Sequence, residues 1–101
     1  MAGNQQYQIT AKVWVYQGKG AWYFVTLPEA ESEQIKFFMG HRSGGFGSIP
    51  VTATIGKTSW KTSIFPYKKA GGYILPLKAE IRKKEKIVEG GTVVVGLALA
   101  I

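Results

Sequence analysis

Two stretches of this chain, Trp22-Tyr23-Phe24-Val25-Thr26-Leu27-Pro28 and Gly72-Tyr73-Ile74-Leu75-Pro76-Leu77-Lys78, decide its fold. Each runs from aromatic residues into Leu-Pro, and the second Leu-Pro stands 48 residues after the first. Proline lacks the amide donor that a sheet needs, but it suits the first turn of a helix. The pattern therefore predicts two copies of one unit, in which a strand leaves its sheet and a short polar helical segment follows.

The first copy belongs to a predicted β-hairpin. From Tyr7 to Val15 every second residue is apolar, which is the period of a half-buried strand. Gly18-Lys19-Gly20 then favours a tight turn into the strand 21–27, because glycine accepts a positive φ angle.

A helix is predicted over residues 28–39. Three glutamates, Glu29, Glu31 and Glu33, fall near its start, where the helix dipole favours negative charge. The spacing of Ile35, Phe38 and Met39 predicts its buried stripe, and Gly40 is a plausible terminator.

The remaining elements are predicted to be mostly strands. Their predicted bounds are 49–55, 58–65, 73–79 and 92–101, with a turn at 66–72 and a basic segment at 80–86. The last strand is apolar at nearly every position, which predicts a central strand that is covered on both faces. Together the elements predict one mainly β domain over residues 1–101, a small barrel with one short capping α-helix.

Composition excludes several classes of protein and of site. The chain has no cysteine, so disulfides and thiolate chemistry are excluded. Its polar start does not look like a signal peptide, and its longest apolar run, 93–101, is too short to cross a bilayer. We therefore expect a cytoplasmic protein without a membrane partner.

The charge is unevenly distributed. The chain carries a formal charge of +7, and residues 57–101 hold nine cations against three glutamates. Such an excess favours binding to nucleic acid, but it also occurs on ordinary solvated surfaces. The candidate nucleic-acid contacts are Lys78, Arg82, Lys83, Lys84 and Lys86.

No catalytic residues, metal site or cofactor are predicted. The sequence has no aspartate and one histidine, His41, so a Ser-His-Asp triad or a multi-histidine metal site cannot be assembled from one chain. Gly56-Lys57-Thr58 lacks the earlier glycine of a phosphate-binding loop, and Pro50 stands where a dinucleotide fingerprint starting at Gly45 needs its third glycine.

One cluster remains as a candidate ligand site. Trp60, Ser63 and Arg82 could offer a ring, a hydroxyl and a cation to a small anionic ligand, beside the glycine loop formed by Gly45, Phe46 and Gly47. The alternative is that the aromatic residues fill the barrel and that the glycine loop is only a tight corner.

These motifs carry a family resemblance. Gly20-Ala21-Trp22-Tyr23-Phe24, the stretch 45–51, Trp60-Lys61-Thr62-Ser63 and the stretch 73–78 resemble the bacterial and archaeal domain-of-unknown-function family nineteen-oh-five, over residues 7–101. The resemblance implies a double-split β-barrel, a pseudobarrel of two similar halves. No activity is established for that family as a whole, and its members stand alone or beside a domain associated with bacteriocin protection.

The second half is also similar to the swapped-hairpin barrel of AbrB-type transcription regulators. The similarity covers the stretches 73–76, 81–83 and 87–95. It implies a dimer that contacts DNA through basic residues, but the first half here lacks a matching basic cluster. Because both strand-Leu-Pro units lie in one chain, we expect a monomer, with a weak dimer through the last strand as the alternative.

The function most consistent with these patterns is a non-enzymatic binding or accessory module for a small ligand or a protein partner. Nucleic-acid binding through the basic residues of 78–86 is the first alternative. An enzyme of unidentified type is the second.

Overall fold

The computed structural model describes residues 6–18, 20–39 and 47–100. Within these ranges, six strands, two α-helices and one 3₁₀ turn follow one another along the chain. In chain order they are β1 Gln6–Gly18, β2 Gly20–Thr26, α1 Glu29–Met39, β3 Ile49–Ile55, β4 Thr58–Tyr67, the 3₁₀ turn Lys68–Ala70, β5 Gly72–Pro76, α2 Ala79–Glu85 and β6 Thr92–Leu99.

The six strands form a closed antiparallel barrel. Their order around it is β1-β2-β5-β4-β3-β6. Two long strands each pair with one neighbour along their first part and with another along their second part. Strand β1 pairs with β6 over 6–12 and with β2 over 13–18. Strand β4 pairs with β3 over 58–64 and with β5 over 65–67. The mainly β barrel predicted from the sequence is confirmed, and one chain closes it with its own strands.

The two halves of the barrel are related by an approximate two-fold axis. Leu27 N donates to Tyr73 O at 2.9 Å, and Leu77 N donates to Tyr23 O at the same distance. The axis passes through the Val25↔Leu75 pair of β2 and β5. Structural equivalents therefore lie 50 residues apart. The Leu-Pro pairs are 48 residues apart in sequence, which is two fewer than this structural offset. Leu27-Pro28 therefore corresponds to Leu77-Lys78 and not to Leu75-Pro76.

The first half follows the sequence predictions with one exception. Ile9 and Val13 of β1 are buried, and Gly20 has a positive φ of 99° in the hairpin. Lys19 and the predicted helix terminator Gly40 lie outside the described residues. In α1, Ile35 and Met39 are buried as predicted, but Phe38 is 38% exposed. The helix instead buries Ser32, one turn before Ile35, because Gly72 lets it approach β5 closely.

The second half differs from the prediction after β5. The predicted strand 73–79 ends at Pro76, and a second helix, α2, begins at Ala79. This helix agrees with the helical segment that the repeated unit predicts, but it corrects the predicted barrel with a single capping helix. Proline cannot donate to a sheet, and Arg82 N donates to Lys78 O at 3.0 Å, which closes the first turn of α2. The predicted strands β3 and β4 are present, with β4 extended to Tyr67.

Strand β6 is central but not covered on both faces. It pairs with β1 on one side and with β3 on the other, so its edges are occupied. Val95, Leu97 and Leu99 point into the barrel, whereas Val94 on the opposite face is 47% exposed. The prediction of a strand covered on both faces is wrong, because the outer surface of this part of the barrel meets solvent.

The core lies inside the barrel and is closed by both helices. Val25 and Leu75, at the two-fold axis, have no exposed surface. Ile35 of α1 and Ile81 of α2 belong to the same buried cluster. This arrangement leaves the outer faces of the strands available for other contacts.

Candidate functional site

One of the two larger concavities of the described residues lies on the outer face of β2, β5 and β4. It is a groove of about 750 Å³, and we call it the outer groove. Its described lining comprises Trp22 and Phe24 from β2, Ile74 and Pro76 from β5, the β4 residues Lys61, Thr62, Ser63, Phe65, Pro66 and Tyr67, and Lys78 before α2.

The groove lies where two strands separate. The β4–β5 pairing stops at Phe65↔Ile74, after which β4 runs beside β3 and β5 pairs only with β2. If the β4–β5 register continued, Lys61 would stand opposite Lys78. Both lysines instead line the gap between the diverging strands.

The floor of this face is fixed by aromatic packing. The ring of Trp14 lies 5.1 Å from that of Phe24 and is stacked at 5.9 Å on that of Tyr67. The Trp14 indole Nε1 donates to Thr26 Oγ1 at 2.8 Å, which fixes the orientation of the ring. These contacts hold the floor in place independently of a ligand.

Two further rings remain open to solvent. Trp22 is 57% exposed and Phe65 is 40% exposed, and both line the outer groove. The described lining residues include the cations Lys61 and Lys78 and no carboxylate. Open rings beside unopposed cations favour a ligand that has a flat apolar group and a negative charge.

A second groove, the α1 groove, adjoins the first. It has a volume of about 870 Å³ and lies between α1 and the 3₁₀ turn. It shares Pro66 and Tyr67 with the outer groove. Its described lining also includes Phe37, which is 89% exposed, and the charged residues Glu33, Lys36 and Lys68.

The predicted cluster of Trp60, Ser63 and Arg82 does not line one concavity. Ser63 lines the outer groove, but Trp60 lies three positions away on the same strand and points to the opposite face, against the core. The indole Nε1 of Trp60 is buried without an acceptor among the described residues.

Arg82 is engaged within the domain. Its guanidinium carbon lies 3.7 Å from the centre of the Tyr23 ring, and its Nε donates to Leu77 O at 3.1 Å. It therefore ties α2 to β2 and to the end of β5. Two members of the predicted glycine loop, Gly45 and Phe46, lie outside the described residues, and so does His41. The third member, Gly47, has a φ of 78° and lies beside Pro66.

The basic segment does not form one continuous patch. Lys78 lines the outer groove, whereas Lys83, Lys84 and Lys86 are exposed on or just after α2. Arg82 lies between them in sequence but is committed to Tyr23. The predicted nucleic-acid contacts are thus divided between the groove and the helix.

Titratable groups add no catalytic cluster among the described residues. Burial raises the pKa of the Tyr7 and Tyr73 phenols above the ordinary value of 10.0. Within 6–18, 20–39 and 47–100, no group of three or more histidine, aspartate or glutamate residues is placed to hold a metal ion. The described glutamate Glu85 accepts a hydrogen bond from Thr58 Oγ1 at 2.6 Å, which links α2 to β4.

The opposite outer face is chemically different. On β1, β6, β3 and β4 it carries Gln8, Gly96, Thr54 and Ser59 in one row of paired residues. The hydroxyls of Thr54 and Ser59 are 2.7 Å apart and hydrogen-bond to each other. This small polar face offers no exposed aromatic ring in that row, so it is the weaker candidate.

Sequence reasoning missed Trp22, Lys61 and Lys78 as one group. Lys78 is a predicted nucleic-acid contact, and Trp22 belongs to the aromatic residues that could stack on bases or line a small pocket, but no sequence pattern joins them to Lys61. The signal that unites them is the pairing of β4 with β5, which places Lys61 and Lys78 on facing sides of the gap.

Neither helix among the described residues has the length and hydrophobicity that a membrane-spanning segment requires.

Comparison with known proteins supports the family resemblance. The chain has no match among curated proteins. Residues 10–97 match the family described as Domain of unknown function (DUF1905), which is the family that the sequence motifs indicate. With that match spanning most of its length and with its six-stranded barrel of two similar halves, the chain belongs to the DUF1905 family.

Proposed function

We propose that this domain is a non-enzymatic binding module, and that its outer groove holds a ligand with a flat apolar group and a negative charge. The ligand is a small molecule or part of a larger partner. We place this activity in the cytoplasm, as the sequence predicts. The observation that carries the proposal is the joint position of exposed Trp22, Lys61 and Lys78 around one gap between strands.

The energetics of the groove support a binding role. Full burial of a large apolar side chain contributes about 1.5 to 3 kcal/mol, and Trp22, at 57% exposure, forgoes part of that amount. Two lysines that face the same gap repel each other weakly, and an anion between them relieves that repulsion. Both terms favour a bound state in which a ring covers Trp22 and a negative group lies between the lysines.

The proposal is tested with anilinonaphthalene sulfonate, whose fluorescence rises when its rings leave water. Titration into the folded protein should give saturable binding at one site. Trp22→Ala should weaken it about ten-fold, since a stacked ring contributes on the order of 1 to 3 kcal/mol. The double variant Lys61→Gln, Lys78→Gln should also weaken binding of the dye. Its loss of affinity should be larger at low salt than at high salt, because salt screens the charges.

Matched controls use an exposed apolar residue and an exposed cation away from the groove. Val94 is 47% exposed on the opposite outer face, and Lys57 lies exposed in the β3–β4 turn. Val94→Ala and Lys57→Gln should leave the affinity unchanged. Equal losses in the controls and in the groove variants would contradict the proposal, as would the absence of saturable binding.

A further inference from the structure

The two grooves adjoin each other, because Pro66 and Tyr67 line both. We call the two grooves together the path. Lys61 and Lys78 line its outer-groove part, and Lys68 lines its α1-groove part. With volumes of about 750 and 870 Å³, each part alone has the size of a small-molecule site.

Cations recur along this path. Four lysines line it: Lys61 and Lys78 in the outer groove, and Lys36 and Lys68 in the α1 groove. Among its described lining residues the only carboxylate is Glu33. Positive charges distributed over two adjoining grooves fit a chain of several negative charges better than they fit one anionic group.

Exposed rings lie in both parts of the path. Trp22 and Phe65 lie in the outer groove, and Phe37, the most exposed large apolar side chain of the described residues, lies in the α1 groove. Each of the three is at least 40% exposed, so part of each ring is open to a ligand. Cationic grooves with exposed rings hold single strands by stacking on successive bases while lysines neutralise the phosphates.

From this combination we propose that the path binds single-stranded nucleic acid, with bases stacked on Trp22 and Phe65 and phosphates held by Lys61, Lys78 and Lys68. The inference rests on the proposed function of the outer groove and names the class of its ligand. Base stacking tolerates any sequence, so little sequence preference is expected.

Duplex nucleic acid fits the path less well. In a duplex the base faces are covered by neighbouring bases, so Trp22 and Phe65 would have nothing to stack on. The major groove is commonly read by an α-helix, but α2 has only seven residues and its Arg82 is held by Tyr23 and Leu77. Binding to a single strand should therefore exceed binding to the matched duplex.

The test is fluorescence anisotropy of a short fluorescein-labelled oligodeoxythymidine, titrated with the full chain between about 50 and 200 mM salt. Trp22→Ala should weaken binding about ten-fold or more. Lys61→Gln with Lys78→Gln should reduce the slope of log affinity against log salt by about 1.4, because each phosphate contact on a single strand contributes about 0.7. Near-ultraviolet circular dichroism verifies that each variant is folded.

Two control variants locate the site. Val94→Ala removes an exposed apolar side chain on the opposite outer face, and it should leave the affinity unchanged. Lys83→Gln with Lys84→Gln removes two cations from α2 and should leave the effect of Trp22→Ala intact. If the α2 variant abolishes binding while the groove variants do not, the path is not the binding surface and the inference is overturned.

Further outcomes separate this inference from the proposed function. If anilinonaphthalene sulfonate binds in a Trp22-dependent way but the oligonucleotide does not bind at low salt, the nucleic-acid inference fails and the binding module stands. Tighter binding of a fluorescein-labelled acidic peptide containing aromatic residues, or of the duplex, also overturns the inference. If neither probe binds, both proposals fail.

Discussion

The two halves of the barrel share one backbone plan but differ at the positions where their helices dock. The 50-residue correspondence pairs Ser32 with Arg82 and Gly72 with Trp22. In the first half, Ser32 is buried and its Oγ accepts a hydrogen bond from Tyr73 N at 3.1 Å. In the second half, Arg82 occupies the equivalent place and covers the ring of Tyr23.

The difference shows that in the first half the helix is sealed against its strand, while in the second half the equivalent point is open. A side chain at Gly72 would overlap Ser32, so the lack of a side chain there allows α1 to dock directly against β5, with the α1 groove beside this contact. Trp22 carries a large ring at the equivalent point and is 57% exposed beside the outer groove. An approximately symmetric scaffold thus has an exposed ring in one half where the other half has a close contact between helix and strand.

The largest effect is expected from breaking the sealed half. Gly72→Ala places a methyl group against the Cβ and Oγ of Ser32, and we expect a loss of about 3 kcal/mol in the free energy of unfolding, measured in urea. The equivalent change in the open half, Trp22→Ala, should cost less than about 1 kcal/mol because the ring is more than half exposed.

A double-mutant cycle distinguishes overlap from a backbone effect at Gly72. Ser32→Gly removes the atoms that the new methyl group would meet, so the double variant should be more stable than the sum of the two single losses predicts. Additive losses would show that Ser32 is not the obstacle.

The next effect comes from the buried hydroxyl. Ser32→Ala leaves the amide of Tyr73 without its acceptor, and we expect a loss of about 2 kcal/mol in thermal or urea unfolding. Ser32→Thr keeps an oxygen acceptor and is the comparison variant, although its extra methyl group must also fit. A loss below about 0.5 kcal/mol for Ser32→Ala would mean that another group satisfies the amide.

Arg82→Ala tests the open half and should cost less, about 1 kcal/mol, because the side chain is only partly buried. Arg82→Lys should lose part of this stability as well, since lysine has no Nε–H to donate to Leu77 O. A cycle with Tyr23→Leu measures the ring contact directly. A coupling energy near zero would show that the guanidinium and the ring do not stabilise each other.

Part of this architecture is predictable from local patterns. The alternation in β1, the bounds of β3 and the start of α1 after Pro28 follow from residue spacing that short segments carry by themselves. The end of β5 and the helix α2 do not, because Leu75-Pro76 imitates Leu27-Pro28 although the hydrogen bonds equate Leu27 with Leu77.

The candidate site is less predictable because it depends on where strands part. Trp60 and Ser63 are close in sequence, but strand alternation sends them to opposite faces. Lys61 and Lys78 are far apart in sequence, and only the β4–β5 register brings them to the same gap. The exposure of Phe38 likewise depends on the docking of α1 through Ser32, which requires Gly72.

The smallest effect concerns pH. Burial raises the pKa of the Tyr73 phenol, so between its unfolded value of about 10.0 and its higher folded value the folded state keeps a proton that the unfolded state releases. This contribution to stability is complete below pH 10 and is lost as the pH rises through that window. As the pH rises through that window, the free energy of unfolding, measured in urea, should therefore fall less for Tyr73→Phe than for the wild type. An unchanged alkaline slope would contradict the assignment to Tyr73.

The most direct test of the central claim is an amide chemical-shift map of the full chain titrated with anilinonaphthalene sulfonate. We predict that the largest shifts occur at the indole N–H of Trp22 and at the backbone amides of Ser63 and Lys78, with little change at Thr54 and Gly96 on the opposite face. Shifts concentrated at Thr54 and Gly96, or on Lys83 and Lys84 of α2, would show that the outer groove is not the binding surface.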